Sequence, residues 1–170
     1  MSKVISKYRS FKKINKSDLR RLAEIAEKDR LDFFNKYPQW KNAFQNRVIC
    51  IALCQGAAQH YVDNKTGIND FDVYTFYKIN SNKKWYAKRI KSYDYNNAKF
   101  GQSLDKPQFI GRRVDCLSRE IEIKKNESLI AALRRYLKNS ETKTANLLSR
   151  KSVILLKPKC GYVVWRNDAV

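Results

Sequence analysis

The most regular part of the chain begins with the apolar run Val48-Ile49-Cys50-Ile51-Ala52-Leu53-Cys54, which is followed by Gln55-Gly56-Ala57-Ala58. After a short link comes Asn69-Asp70-Phe71-Asp72-Val73-Tyr74-Thr75-Phe76-Tyr77, which is rich in aromatic and β-branched residues. The pattern indicates a buried strand or the end of a helix, then a glycine turn, a linker, and a strand that begins with two acids.

The two acids at the start of this strand belong to one face. Side chains alternate between the faces of a β-strand, so Asp70 and Asp72 share a face while Phe71 and Val73 share the other. Neighbouring carboxylates repel each other, and a fold keeps such a pair where a cation neutralises it. Paired oxygen ligands suit Mg²⁺ or Mn²⁺. Taken alone, the same pair is also typical of a solvated strand edge or turn.

A third acid, Asp115, lies downstream in the β-prone run Arg113-Val114-Asp115-Cys116-Leu117. The order of glycine and small residue, Asp-x-Asp, and a lone Asp on a later strand resembles the nucleotidyltransferase superfamily related to DNA polymerase β. Members of that superfamily transfer a nucleoside monophosphate from a nucleoside triphosphate to an acceptor hydroxyl. The resemblance covers about residues 45 to 120.

This resemblance implies a role for each motif residue. Asp70 and Asp72 correspond to the pair that binds Mg²⁺ or Mn²⁺, and Asp115 to the third acid, which holds one metal and helps to deprotonate the acceptor. Gly56 with Ala57 corresponds to the turn whose backbone approaches the triphosphate. The family often has serine after the glycine; with Ala57 in that place, only the backbone is left to contact phosphate.

The net charge of +20, from 36 basic and 16 acidic residues, predicts a polyanionic partner, with RNA as one candidate. A generally lysine-rich composition is the alternative explanation. Beside Asp115, either Arg112 or Arg113 is expected to meet a triphosphate or pair with a carboxylate. Other basic residues stand among aromatic ones or on a predicted C-terminal helix. The candidates for nucleic-acid binding are Lys83, Lys84, Lys88, Arg89, Arg134 and Arg135.

Four cysteines form no CxxC pair, and His60 is the only histidine, so a zinc site is not expected. His60 is interpreted as a packed or capping residue rather than a general base. No apolar stretch has the length of a membrane span, and no signal-peptide pattern is present. We therefore expect a cytoplasmic protein with reduced, buried thiols and no membrane partner.

The expected fold class is α/β (α+β), with a small mixed sheet flanked by helices in a single domain. Residues 1 to 16 are basic and contain no acid, which predicts a basic N-terminal arm, and residues 17 to 170 form the domain. A helix capped at Ser17-Asp18 is expected to end before Pro38. Residues 126 to about 156 form the C-terminal helical part, in which the run 153 to 156 fits either a helix or a strand.

Three functions are compatible with these patterns. The first is metal-dependent transfer of a nucleoside monophosphate from a nucleoside triphosphate to an acceptor, with RNA as the favoured acceptor. The second is a non-catalytic nucleic-acid-binding protein on the same fold. The third is a nuclease of the PD-(D/E)xK type, formed by Asp115, Glu122 and Lys124, although these residues are too close in sequence for the usual two-strand geometry.

Overall fold

A computed structural model describes residues 9–85 and 89–167 of the chain. These residues form a mixed α/β structure, which confirms the expected fold class. The helices are α1 Lys16–Lys36, α2 Pro38–Phe44, α3 Gln55–Asp63, α4 Leu129–Asn139 and α5 Lys143–Leu148. The strands are β1 Val48–Cys54, β2 Phe71–Lys78, β3 Ile90–Asp94, β4 Arg113–Ile121, β5 Val153–Lys157 and β6 Val163–Trp165.

The six strands form one sheet in the order β3-β4-β2-β1-β5-β6. Strands β2 and β4 are parallel, and every other neighbouring pair is antiparallel. Parallel strands begin at the same edge of a sheet, and an antiparallel neighbour ends there. The starts of β2 and β4 therefore lie beside the end of β1, which is the edge where the predicted motif residues occur.

Helices cover both faces of the sheet. Along β1, Ile51 and Leu53 pack on one face with α1 and α3, whereas Ala52 and Cys54 pack on the other with α4 and α5. Successive side chains of β1 point to opposite faces and are apolar on both, so both faces of the sheet are buried there. We call these the α1 face and the α4 face.

The first helix starts earlier than its sequence suggested. Its N-cap is Asn15, whose side chain accepts from the Asp18 backbone N–H, while the Asp18 carboxylate accepts from the Asn15 N–H. This reciprocal pair is a capping box, so the cap expected at Ser17-Asp18 belongs to the first helical turn instead. The helix ends at Lys36, before Pro38, as expected.

The structure defines the bounds of β5, α3 and β4 more closely than the sequence patterns do. The run 153 to 156 is a strand rather than a continuation of a helix, since it pairs with β1. Gln55 has a φ of 60°, and α3 starts at this residue, so Gly56 lies inside a helix and not in a separate turn. Strand β4 extends to Ile121, so the β-prone run around Asp115 is part of a nine-residue strand.

None of the helices in the described part of the chain combines the length and apolar character needed to cross a bilayer.

Two leucines of α1 allow a matched test of this packing. Leu22 is fully buried and Leu31 is 56% exposed. Leu22→Ala should lower the free energy of unfolding by about 2 to 5 kcal/mol because it leaves a cavity between α1 and the sheet. Leu31→Ala should change it by less than about 0.5 kcal/mol. Urea denaturation of both variants measures the difference, and equal effects would contradict the packing described for α1.

Candidate active site

The pairing of β2 with β4 brings the predicted acids together. Asp72 lies directly opposite Asp115 in the parallel register, and on its other side Asp72 pairs with Cys54 at the end of β1. Both carboxylates belong to the α4 face, and Asp70 precedes Asp72 by two residues. The three acids singled out from the sequence therefore form one cluster at the edge of the sheet.

One arginine joins this cluster. The Arg113 guanidinium donates through Nη2 to Asp70 Oδ2 at 2.5 Å and through Nη1 to Asp105. Its Nε lies 3.1 Å from Asp115 Oδ1. Arg113 thus contacts three carboxylates, and it is the arginine of the Arg112-Arg113 pair that meets the acids.

Arg112 points the other way, as strand alternation requires. It is only 5% exposed, and it donates through Nε to the carbonyl of Phe100 at 2.8 Å and through Nη1 to that of Asn69 at 3.3 Å. Arg112 thereby fixes the backbone immediately before Asp70.

The negative charge of the cluster exceeds what Arg113 neutralises. Burial raises the pKa of the Asp72 carboxyl to about 8, and the neighbouring charges of Asp70 and Asp115 act in the same direction. The Arg113 charge opposes this shift without cancelling it. Burial and like charge therefore favour the neutral form of the Asp72 carboxyl, and its contact with Asp70 raises the pKa further.

Carboxylate oxygens are the ligands that a hard divalent cation prefers, so the chemistry of the three acids suits Mg²⁺ or Mn²⁺, although their arrangement with Arg113 bound to Asp70 and Asp115 does not. Arg113 is an imperfect counter-ion, since its buried Nε has no well-aligned hydrogen-bond partner despite its closeness to Asp115. Within residues 9–85 and 89–167, no group of three His, Cys, Asp or Glu side chains is arranged so that it could hold a metal ion. In this arrangement the Arg113 guanidinium is the cation beside Asp70 and Asp115.

Ser92 is a site residue that the sequence analysis missed. It lies opposite Asp115 on β3, and its hydroxyl donates to Asp115 Oδ1 at 2.6 Å. No motif marks it, and only the pairing of β3 with β4 reveals its role. Beside the acids, an open cleft of about 230 Å³ is lined by Asp70, Asp105 and Arg113 together with the polar loop at Ser103.

Helix α3 begins at the same edge of the sheet. Its N-cap, Cys54, makes no side-chain capping bond, so the first backbone N–H groups of the helix lack a cap. A Cβ added at Gly56 would meet nothing closer than 3.9 Å, and Lys151 Nζ would be 4.0 Å away. The Ala57 side chain is 1% exposed in the core of the α1 face, so its backbone is the part that a ligand at this edge could reach.

Three of the arginines predicted to bind nucleic acid, Arg89, Arg134 and Arg135, are bound to other groups of the protein. Two guanidinium groups pair with carboxylates of the protein: Arg89 with Asp29 at 2.6 and 2.8 Å, and Arg135 with Glu127 at 2.9 Å. Arg134 donates to the Val164 carbonyl at 3.0 Å.

Lys83 and Lys84 follow the distal end of β2, and Lys88 lies outside the described residues. The Lys83 ammonium lies 4.4 Å from the centre of the Trp40 ring. Trp85 is only 4% exposed and stacks on Tyr77 at 4.2 Å, so this aromatic residue faces the core.

Two other sequence hypotheses can be compared with the geometry. His60 is fully buried, with Nδ1 2.7 Å from the Thr66 carbonyl and Nε2 2.9 Å from that of Lys12, which is the contact pattern of a packed residue. Glu122 follows β4 directly, so it lies seven residues beyond Asp115, roughly 23 Å along the strand. These two acids do not converge as a nuclease pair requires.

Comparison with known proteins gives no relative of this chain: no family model, no curated protein and no solved structure matches it.

The raised pKa of Asp72 predicts a pH-dependent gain in stability for Asp72→Asn. The folded-state pKa of about 8 lies above the ordinary value of 3.8, so this carboxyl stabilises the fold fully below about pH 4 and loses that contribution as pH rises through about 8. Relative to the unmodified chain, Asp72→Asn should therefore gain more than about 1.4 kcal/mol of unfolding free energy between about pH 5 and pH 8.

Urea denaturation in metal-free buffer measures this difference. Asp32→Asn, at an exposed position of α1, is the matched control and should show no such gain. If the difference in unfolding free energy between Asp72→Asn and the unmodified chain stays constant with pH, the pKa of Asp72 is not raised in the folded state.

Proposed function

We propose that this protein is a metal-dependent nucleotidyltransferase that moves a nucleoside monophosphate from a nucleoside triphosphate to an acceptor hydroxyl. The observation that carries the proposal is the register of β2 and β4, which sets Asp72 opposite Asp115 beside Asp70. The nearby N-terminus of α3 supports it, because backbone N–H groups at a helix start favour phosphate.

Each residue of the site has a role in the proposed reaction. The acceptor oxygen attacks the α-phosphorus, the bond from that phosphorus to the pyrophosphate oxygen breaks, and the hydroxyl proton passes to a carboxylate. Asp115 is suited to accept it, because Ser92 holds its Oδ1 and no described residue hydrogen-bonds its Oδ2. A divalent ion held by Asp70, Asp72 and Asp115 would neutralise charge on the triphosphate and on the leaving pyrophosphate.

Two cations near the acids and the start of α3 support the proposal, and we expect them to contact the triphosphate. Lys151 lies beside Gly56 at the start of α3, and Arg113 lies beside Asp70 and Asp105. A guanidinium presents a planar fork of donors that matches phosphate oxygens. Arg113 would have to release Asp70 and Asp115 for a divalent ion to bind them, and the released guanidinium would then be available to the phosphates.

The second candidate is a nucleic-acid-binding protein without transfer activity. The observation that favours it is the contact of Arg113 with Asp70, Asp105 and Asp115, which already gives the acids a cation from the protein itself. For both candidate functions we propose a location in the reducing cytoplasm. The four free cysteines, three of them buried, agree with this location.

The transfer reaction should depend on the acids of the cluster. Asp72→Asn and Asp115→Asn should each lower transfer by about 10³-fold or more, equivalent to about 4 kcal/mol in the barrier. The assay uses Mg²⁺ or Mn²⁺, the four α-labelled nucleoside triphosphates, and cellular RNA and protein as acceptors. Asp32→Asn should retain full activity. Unchanged transfer in both site variants would show that the reaction takes place elsewhere, and absence of transfer by the unmodified chain would favour the binding protein.

A substitution at Gly56 tests nucleotide binding without disturbing the fold. Its surroundings leave room for a methyl group, so Gly56→Ala should leave the free energy of unfolding unchanged or raise it by up to about 1 kcal/mol. The same methyl group would stand where the triphosphate approaches the backbone, so KM for the nucleotide should rise by about tenfold, or about 1.4 kcal/mol. A normal KM would contradict the placement of the triphosphate at α3.

A further inference from the structure

A basic segment before α1 is fixed against the acidic edge of the domain. Ser10 and Ile68 exchange two backbone hydrogen bonds of 2.9 and 2.8 Å. His60 Nε2 lies 2.9 Å from the Lys12 carbonyl, and the Ile14 side chain is buried in the core. The backbone from Ser10 to Ile14 is therefore held against α3 and against Ile68, two residues before Asp70.

Gly67 makes this docking possible. A Cβ at Gly67 would lie 2.7 Å from Arg9 Cβ, 2.9 Å from Arg9 Cδ and 3.1 Å from Phe11 Cζ. Carbon atoms do not approach that closely, so any side chain at position 67 would displace the segment. The glycine is explained by the contact with Arg9 and Phe11.

The docked segment forms one side of a surface groove of about 560 Å³, which we call the N-terminal groove. Its ionisable lining residues are all cationic: Arg9, Lys12, Lys99 and Arg112. Lys99 is paired with Asp18 at 2.6 Å, whereas no described carboxylate pairs with the other three. The Phe11 ring at the groove is 53% exposed. The groove thus combines unpaired cations with an exposed aromatic ring.

Arg112 gives the groove a rigid donor. Its Nε and Nη1 are held by the carbonyls of Phe100 and Asn69, while its Nη2 makes no hydrogen bond to any described residue. Because the guanidinium is almost fully buried, its orientation is set by the fold. A fixed, partly desolvated donor interacts more strongly with a phosphate than a mobile surface lysine does.

We propose that the N-terminal groove binds single-stranded nucleic acid, with backbone phosphates on Arg9, Lys12 and Arg112 and a base stacked on Phe11. This inference deepens the proposed function and rests on it in one respect, since it makes this strand the acceptor. Arg112 bonds to Asn69, next to Asp70, so the groove and the acidic cluster lie on opposite sides of one short backbone segment. In the proposed complex, a strand that leaves the groove past Asn69 would bring its end to the carboxylates.

The exposed ring favours nucleic acid over an acidic peptide. Cations alone attract any polyanion, whereas alternating phosphate contacts and aromatic stacking are the recognition mode of single-stranded nucleic acid. An acidic peptide would use Arg9 and Lys12 but gain little from Phe11.

The first test measures binding of a fluorescein-labelled oligouridylate by fluorescence anisotropy over a range of potassium chloride concentrations, without nucleotide or divalent metal. Arg9→Ala with Lys12→Ala should weaken binding by at least about tenfold and flatten the slope of log K against log salt by about 1.4, for two lost phosphate contacts. The matched control, Lys83→Ala with Lys84→Ala, loses the same charge at the opposite end of β2 and should change binding less than about twofold. Equal losses in the two pairs would overturn the proposal in favour of a diffuse charge effect.

Two variants test the groove without changing its charge. Phe11→Ala should weaken oligouridylate binding by about tenfold through lost stacking. Gly67→Ala keeps every cation but displaces the segment, so it should weaken binding to a similar extent; circular dichroism would verify that both variants are folded. If Phe11→Ala binds normally while polyglutamate competes as well as RNA, the groove is a general anion surface and the proposal is wrong.

This binding test is independent of catalysis. If the chain transfers no nucleotide but RNA binding depends on Arg9, Lys12 and Phe11, the proposed function fails while the RNA-binding groove stands. If it transfers nucleotide to protein, and RNA binding is indifferent to these residues, the groove proposal fails while the proposed function stands.

Discussion

The parallel pairing of β2 with β4 is the constraint on which the site depends. This register puts Asp72 beside Asp115 on a buried sheet face, where separating them would require breaking backbone hydrogen bonds. The repulsion between the acids is therefore a consequence of the fold, and two features compensate for it: the pKa of Asp72 is raised, which favours its neutral form, and Arg113 contacts Asp70 and Asp115. Such electrostatic cost is more often found at functional sites than elsewhere.

Much of the site was predictable because it depends on local patterns. The alternation of Phe71, Asp72 and Val73 placed the acids on one face, and the β-prone run around Asp115 predicted the third acid on a strand. What joins these strands is long-range register, which a single sequence does not encode in any local pattern. Ser92 could not be found for that reason, and the choice between Arg112 and Arg113 stayed open until β4 was known to begin at Arg113.

The basic residues show the opposite case. The composition of the chain predicted a polyanionic partner, but the positions of the basic residues in the sequence did not predict where it would bind. Interleaved lysines, arginines and aromatics looked alike along the chain, yet Arg89 and Arg135 are bound to carboxylates, and Trp85 is part of the core. A net charge says how strongly a protein attracts polyanions, not where they bind. The location requires knowing which cations lack partners, and that follows from tertiary contacts such as those made through Gly67 and His60.

Arg112 and Arg113 connect the acidic cluster with the N-terminal groove, because consecutive residues along an extended chain face opposite sides. Arg113 turns to the carboxylates, and Arg112 turns to the groove beside Arg9 and Lys12. Both contact the segment Asn69-Asp70, Arg112 through a carbonyl and Arg113 through a carboxylate. A phosphate that binds either arginine would therefore affect the backbone segment that positions Asp70. If the chain binds an acceptor strand in the groove and a triphosphate at the acids, as proposed, the two binding events would be coupled through Arg112 and Arg113, with no need for a larger conformational change.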